Sequence, residues 1–357
     1  MPLNFVAIGA LGHMLSPSVR FLQSDCIRIH KYLDRQTDTP LKQQRRLAWQ
    51  AYGAIAVSNI EALCSEAIDG VIICAGKNGD DLELIRKLLI LMRPKHQSAM
   101  IIHCSTVSPM FVRHAHTAAQ QAGHDYVNWP LTGGPKGAET AQMLILTSGP
   151  AWLFEKNQAW LKQIGQPKYF TDDLILAPRI KLLGHTLVFS NLMGCCVASQ
   201  VYQTLGMPPI PSQKASDFFD FLNQGAGGSK QWEVALKIGV QQNNWQDGFL
   251  LAHAVIDAFY TVQMLIEASV SNIHIIPILH TLAALCWLVE NHGLSWATQQ
   301  LARALWQTKS SELDAWLKQH LDYHAPAASI THLASRLPIS IQKSMYLQCQ
   351  AKDFQAH

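Results

Sequence analysis

Charged residues make up only 15% of the 357-residue chain, and their signs nearly cancel: 28 Lys and Arg against 25 Asp and Glu leave +3. No basic run with interleaved aromatics is present, so the chain lacks the electrostatic footprint of a nucleic-acid-binding protein. No basic residue precedes an apolar stretch in Met1-Pro2-Leu3-Asn4-Phe5-Val6; this argues against a signal peptide. The eight cysteines contain no C-x-x-C pair, and Cys195 and Cys196 are adjacent. They read as reduced thiols, which implies a cytoplasmic protein. No His, Cys, Asp and Glu set has metal-ligand spacing: His114 and His116 fall on different helix faces, and His320 and His324 lack an acidic companion, so no metal is expected. Internal repeats and low-complexity segments are also missing.

Two stretches, Leu182 to Gln213 and Ala268 to Val289, contain no Asp, Glu, Lys or Arg. Polar residues interrupt both: His185, Asn191, Ser199 and Gln200 in the first, Asn272, His274 and Pro277 in the second. They read as buried or subunit-interface helices rather than membrane spans, and they imply a homodimer.

Apolar residues reach 48%, ample for a large core, and the length suits two domains at roughly 100–200 residues each. Short apolar runs at Phe5–Ile8, Cys26–Tyr32, Ala54–Val57, Val71–Ala75, Met100–His103, Tyr126–Trp129 and Met143–Thr147 read as strands. Most are separated by helical patterns: Ser16–Gln23, Leu41–Tyr52, Asn59–Glu66, Asp81–Met92, Met110–Gln121 and Trp152–Ile164. Such alternation means a doubly wound, mostly parallel sheet covered by helices on both faces. From Asp172 onward the pattern is helical, beginning with one long helix over about 174–204 that Gly206 and Pro208 end. The expected architecture is an α/β domain over 1–171 and an all-α substrate and dimerisation domain over 172–357.

The first strand runs into Ile8-Gly9-Ala10-Leu11-Gly12-His13-Met14-Leu15-Ser16-Pro17. A glycine turn between strand one and helix one is where a Rossmann domain holds a pyrophosphate, since glycine lets backbone N–H groups approach the anion. The spacing departs from G-x-G-x-x-G: it is G-x-x-G, with Leu15 where the third glycine would fall. After the second strand, Lys31 and Arg35 outnumber Asp34, and basic residues there favour a 2′-phosphate, hence NADP over NAD.

Further segments resemble the β-hydroxyacid dehydrogenase family, which includes 3-hydroxyisobutyrate and 6-phosphogluconate dehydrogenases. Gly12-His13-Met14 with Ser16-Pro17 is similar to its first turn, and Ser105-Thr106-Val107-Ser108-Pro109 to a later strand-end motif. Pro130-Leu131-Thr132-Gly133-Gly134 with Gly137-Ala138 resembles its substrate loop, and Asn223-Gln224-Gly225-Ala226-Gly227-Gly228-Ser229 a turn of its helical domain. Lys181 stands where the family places its catalytic lysine. The similarity covers roughly residues 3 to 305. His185 replaces a family asparagine, Ile256 before Asp257 replaces a family lysine, and residues 307–357 exceed the family length.

The resemblance implies a hydride transfer between nicotinamide and a small carboxylate substrate, a β-hydroxyacid or its keto or semialdehyde form. Lys181 would be the proton-transfer group, if burial and the nearby cofactor bring its pKa toward neutrality. Thr132, Gly133 and Gly134 would hold the carboxylate, with His185 and Asp257 as further polar groups of the substrate pocket. The cofactor would lie along Gly9, Leu11, Gly12, His13, Met14, Lys31, Ala75, Ser105 and Thr106. Two other readings remain open: an imine-reductase-like enzyme, against which the retained Lys181 argues, and a non-catalytic scaffold with a decayed cofactor site.

Overall fold

The computed structural model describes residues 1–35, 39–92, 99–306 and 310–354. Contacts divide the chain into two units: Met1–Lys181 together with the chain from Lys343 onward, and Leu182–Gln342.

In the first unit the apolar runs become β1 (Leu3–Ile8), β2 (Ile27–Leu33), β3 (Ile55–Ala56), β4 (Gly70–Ile73), β5 (Met100–His103) and β6 (Asp125–Asn128). They form one sheet in the order β3-β2-β1-β4-β5-β6, with every pairing parallel. Both faces are covered, so side chains of either orientation are apolar. Along β1, Phe5 and Ala7 join a core with Trp49 and Trp160, while Val6 and Ile8 join another with Leu88 and Phe111.

The helices between strands are α1 (Pro40–Ala51), α2 (Ile60–Leu63), α3 (Asn78–Met92) and α4 (Pro109–Gln121). Their starts are local. Thr39 and Ser108 accept N–H bonds from Lys42 and Phe111, each ahead of a proline in the first turn. The segment after β1 differs from expectation: Ser16–Phe21 is a 3-10 helix of six residues rather than an α-helix. Ser18 N–H bonds to Leu15 O, three residues back, and its hydroxyl reaches Ala138 O at 3.4 Å. A serine so engaged competes with α-helical pairing.

A second sheet follows: β7 (Leu131–Thr132) antiparallel to β8 (Met143–Thr147), itself parallel to β9 (Gly165–Tyr169). Only β8 has a strand pattern in sequence. Gly-Gln-Pro-Lys-Tyr of β9 has none, and its conformation comes from pairing with β8. Between these strands lie α5 (Gly134–Glu139) and α6 (Ala151–Ile164), and α7 (Leu176–Thr204) then begins.

The second unit is helical: α8 (Gln213–Asn223), a π-helical turn at Trp232–Leu236, α9 (Lys237–Gln242), α10 (Leu251–Glu267), α11 (Asn272–His292), α12 (Gln300–Trp306), α13 (Ser310–His320) and α14 (Pro326–Arg336). Helices α10 and α11 are its apolar centre, buried on nearly every side. By length and composition α7 and α11 could each cross a membrane; 67% of the apolar window of α11 is buried against 33% for α7.

The expectation that 172–357 forms one helical domain needs correction. From Lys343, within α15 (Ile339–Met345), the chain belongs to the first unit. Phe354 sets its ring 5.1 Å from Phe111, Cys349 is buried, and Tyr346 O accepts from Asn78 Nδ2 at 3.3 Å. These few anchors lie in a polar stretch, so composition hides them. A Cβ on Gly79 would collide with Lys343 O. Gly79→Val is therefore expected to loosen this segment. The check is hydrogen exchange at residues 343–354, and unchanged protection would refute the contact's importance.

Candidate functional site

The carboxyl ends of β1, β4, β5 and β6 meet where a doubly wound sheet holds its ligand. Gly9 leaves β1 at φ +77°, and a Cβ there would strike the Cys74 carbonyl at the end of β4. The turn is thus pressed against β4 at a spacing only glycine permits. Gly12 N–H returns to Gly9 O at 3.1 Å. Leu11 N–H goes to Asp34 Oδ2 at 2.8 Å, and Arg45 of α1 donates to Leu11 O at 2.8 Å and meets His13 Nδ1 at 3.2 Å. Partial burial, then the Arg45 charge, hold the His13 pKa below its ordinary value. Among the described residues, Ala10, His13 and Met14 spend no backbone N–H on a backbone acceptor. A glycine-lined turn with open N–H groups and a nearby guanidinium fits a dinucleotide pyrophosphate.

Lys31, the residue from which NADP is expected, is engaged by neighbours within the structure. Its ammonium is 2.6 Å from Glu66 Oε1 and 2.8 Å from Ser65 Oγ. Strand β2 continues past it to Leu33, so Lys31 stops short of the strand end. The residues there are Asp34, bonded to Leu11 N–H and, at 2.6 Å, to Lys42 Nζ, and the exposed Arg35, 3.8 Å from Asp80. Lys31→Ala is accordingly expected to change the affinity for NAD and NADP alike by less than about two-fold, the scale of a half-exposed ion pair. A selective loss of NADP affinity, measured by titration, would restore Lys31 to the site.

At the ends of β4 and β5, Ala75 N–H bonds to Ser105 Oγ at 3.1 Å, which brings two expected cofactor residues together, with Thr106 half-buried beside them. Several residues that patterns did not single out hold this rim. Asn128 Nδ2 donates to His103 O and Ser105 O at 2.8 and 3.1 Å. Asn78 and Ser108 bond each other twice, at 2.9 and 3.0 Å. Beneath them, His103 meets Asp81 Oδ2 at 2.8 Å and Tyr126 Oη at 2.7 Å, all three side chains fully buried, and Asp81 also accepts from Gly76 N–H at 3.2 Å. His103 looked like an ordinary strand residue because its partners are 22 and 23 positions away. Burial, with the Asp81 charge second, pushes the Cys74 thiol up to about 12, so it stays protonated.

The substrate-loop residues sit on β7 and the start of α5. Gly133 and Gly134 have φ of +122° and +67°, conformations that suit glycine. Lys181, on the second turn of α7, donates from Nζ to Leu131 O at 2.9 Å, next to half-buried Thr132. It also acts electrostatically on Cys74 at the end of β4. In the helical unit, buried His185 Nδ1 lies 3.8 Å from Asp257 Oδ2, so the structure pairs two residues expected in the substrate pocket.

Strand order and the glycine turn at the sheet's carboxyl edge are those of a dinucleotide-binding domain, and Lys181 is bonded to Leu131 O just ahead of Gly133 and Gly134. Residues 10–177 match the family described as the NAD binding domain of 6-phosphogluconate dehydrogenase. Over that segment the chain is similar to the nucleotide-binding domain of this dehydrogenase family. Among its relatives, 2-(hydroxymethyl)glutarate dehydrogenase of Eubacterium barkeri is 26% identical over 152 residues, 43% of this chain. That match spans about half, 48%, of the relative's length. A 3-hydroxyisobutyrate dehydrogenase of Mycobacterium tuberculosis, solved with L-serine, shares the fold at a TM-score of 0.68 and 16% identity, over 85% of this chain and 99% of its own. An imine reductase of Myxococcus stipitatus, in complex with NADP+, shares it at 0.54 and 18% identity, over the same fractions.

Proposed function

We propose that this chain is an oxidoreductase that moves a hydride between a nicotinamide dinucleotide and a small β-hydroxyacid. The observation that carries the reading is Lys181 Nζ held 2.9 Å from Leu131 O, beside the Thr132-Gly133-Gly134 loop. An amine that can take or give a proton thus adjoins N–H groups that can hold a carboxylate. Bound at the glycine turn, the dinucleotide supplies the hydride acceptor or donor. Lys181 takes the hydroxyl proton during oxidation and returns it to the carbonyl oxygen during reduction. Thr132 Oγ1 and the N–H groups of Gly133 and Gly134 orient the carboxylate.

The cofactor form follows from Asp34. A carboxylate closing β2 accepts a ribose 2′-hydroxyl and repels a 2′-phosphate, so NAD(H) replaces the NADP(H) expected from Lys31. The test is calorimetric titration with both dinucleotides, then turnover of a panel of small β-hydroxyacids and cyclic imines. Turnover of imines alone would move the chain to the imine reductase class. Binding of neither cofactor would leave the scaffold reading.

The same reading includes a homodimer in the cytoplasm. Supporting the first, Leu183, Leu187, Val197 and Val201 are exposed along α7, an apolar stripe of the kind that subunit interfaces bury. Supporting the second, all eight cysteines are unbridged. Light scattering of detergent-free protein at micromolar concentration is expected to give twice the chain mass of 39.7 kDa. A monomer would overturn the dimer, and a requirement for detergent would point to a membrane.

A further inference from the structure

Arg45 lies on α1, outside the glycine motif, yet its guanidinium is fastened to the turn. Nη1 donates to Leu11 O at 2.8 Å, and Nη2 meets His13 Nδ1 at 3.2 Å. Neither partner offsets its charge. The carbonyl is neutral, and the lowered His13 pKa keeps the imidazole neutral at pH 7 with Nδ1 accepting. Asp34 and then Glu139 favour the charged form of Arg45, but neither pairs with it directly: the Asp34 oxygens are bonded to Lys42 at 2.6 Å and to Leu11 N–H. Among the described residues no carboxylate forms an ion pair with Arg45. Burial is the largest influence on this guanidinium and disfavours its charged form. A half-buried cation with no directly paired carboxylate is favoured by an anion that joins it.

The turn, for its part, is short of positive potential. A six-residue 3-10 helix follows it, in place of a full α-helix whose dipole would face the phosphates. Leu11 N–H and Gly12 N–H are engaged by Asp34 and by Gly9 O. Leu15, 1% exposed, fills the position of the third glycine. After its two contacts, Arg45 retains the Nε–H and one N–H on each Nη.

We propose that Arg45 is a direct ligand of the dinucleotide's pyrophosphate, its side-chain charge replacing the helix dipole and the two N–H groups that this turn has engaged elsewhere. The inference rests on the dinucleotide reading of the turn. Two guanidinium N–H groups can meet two phosphate oxygens at once, a geometry a lysine cannot reproduce.

Calorimetric titration of the full chain with NADH, ADP and adenosine tests this. Arg45→Met keeps the apolar stem and is expected to weaken NADH and ADP by about 10–100-fold, the scale of lost charge-assisted bonds. Adenosine, which has no phosphate, is expected to bind as in the parent. Arg45→Lys is expected to recover part of the loss, and added salt should weaken the parent more than Arg45→Met. NADH affinity of Arg45→Met equal to the parent's overturns the inference and leaves the dinucleotide reading standing. An equal loss for adenosine and ADP also overturns it, because the defect then lies outside the phosphates. A parent that binds no NADH overturns both. Thermal melting checks folding. If Arg45→Met does not fold, Arg45→Lys decides: affinity equal to the parent's overturns the bidentate contact.

Discussion

Lys181→Ala is expected to lower kcat by about 10²–10⁴-fold, the usual contribution of a positioned proton-transfer group. The side-chain nitrogen is already fastened at 2.9 Å to Leu131 O, so the group is held in place before substrate arrives. The phosphates are assigned to the Gly9–Met14 turn, and cofactor affinity should therefore change little. Lys181→Arg should not restore the rate, because a guanidinium stays protonated and cannot accept the hydroxyl proton. The measurement follows reduced cofactor by absorbance across a panel of β-hydroxyacids at several pH values. A Lys181→Ala variant as fast as the parent would exclude Lys181 as the acid–base group.

The second large effect concerns stability. Asp81, His103 and Tyr126 form a hydrogen-bonded chain with no exposed side chain. Removing Asp81 leaves two donors, the buried His103 Nε2 and the half-buried Gly76 N–H, without their acceptor. At about 1–3 kcal/mol for each stranded group, Asp81→Ala is expected to cost about 2–5 kcal/mol of unfolding free energy. With Gly76 N–H released, the β4–α3 loop should loosen as well. Urea unfolding followed by tryptophan fluorescence gives the number, and Asp81→Asn, which keeps shape and one acceptor, should lose less. A cost for Asp81→Ala below about 1 kcal/mol, the value of an ordinary hydrogen bond, would show that the chain is dispensable.

Much of this was legible because its causes are local. The seven apolar runs read as strands are strands in the structure. Thr39-Pro40 and Ser108-Pro109 begin helices as caps with a following proline do. Gly9 and Gly134 fall at positive φ, where the turns need them. Failures of reading share a cause too. Leu131–Thr132 and Gly165–Tyr169 are strands only because β8 lies between them. Lys31 reads as a phosphate ligand from its proximity to a strand end, yet β2 continues two residues past it and Glu66, 35 positions away, pairs with the ammonium.

The amino-acid sequence by itself determined the strand–helix alternation, the change to helix after Thr171, the glycine turn and the position of Lys181 in the pattern. Each is set by side-chain periodicity or by backbone freedom within a few residues. Tertiary structure alone decided which charges meet. It put Asp34 on Leu11 N–H, Arg45 on the turn, Asp81 under His103 and His185 beside Asp257. It likewise brought Ser344 to Asp80, 264 residues away. A charge's partner depends on distances set by packing in a low-dielectric interior, and no local pattern encodes them.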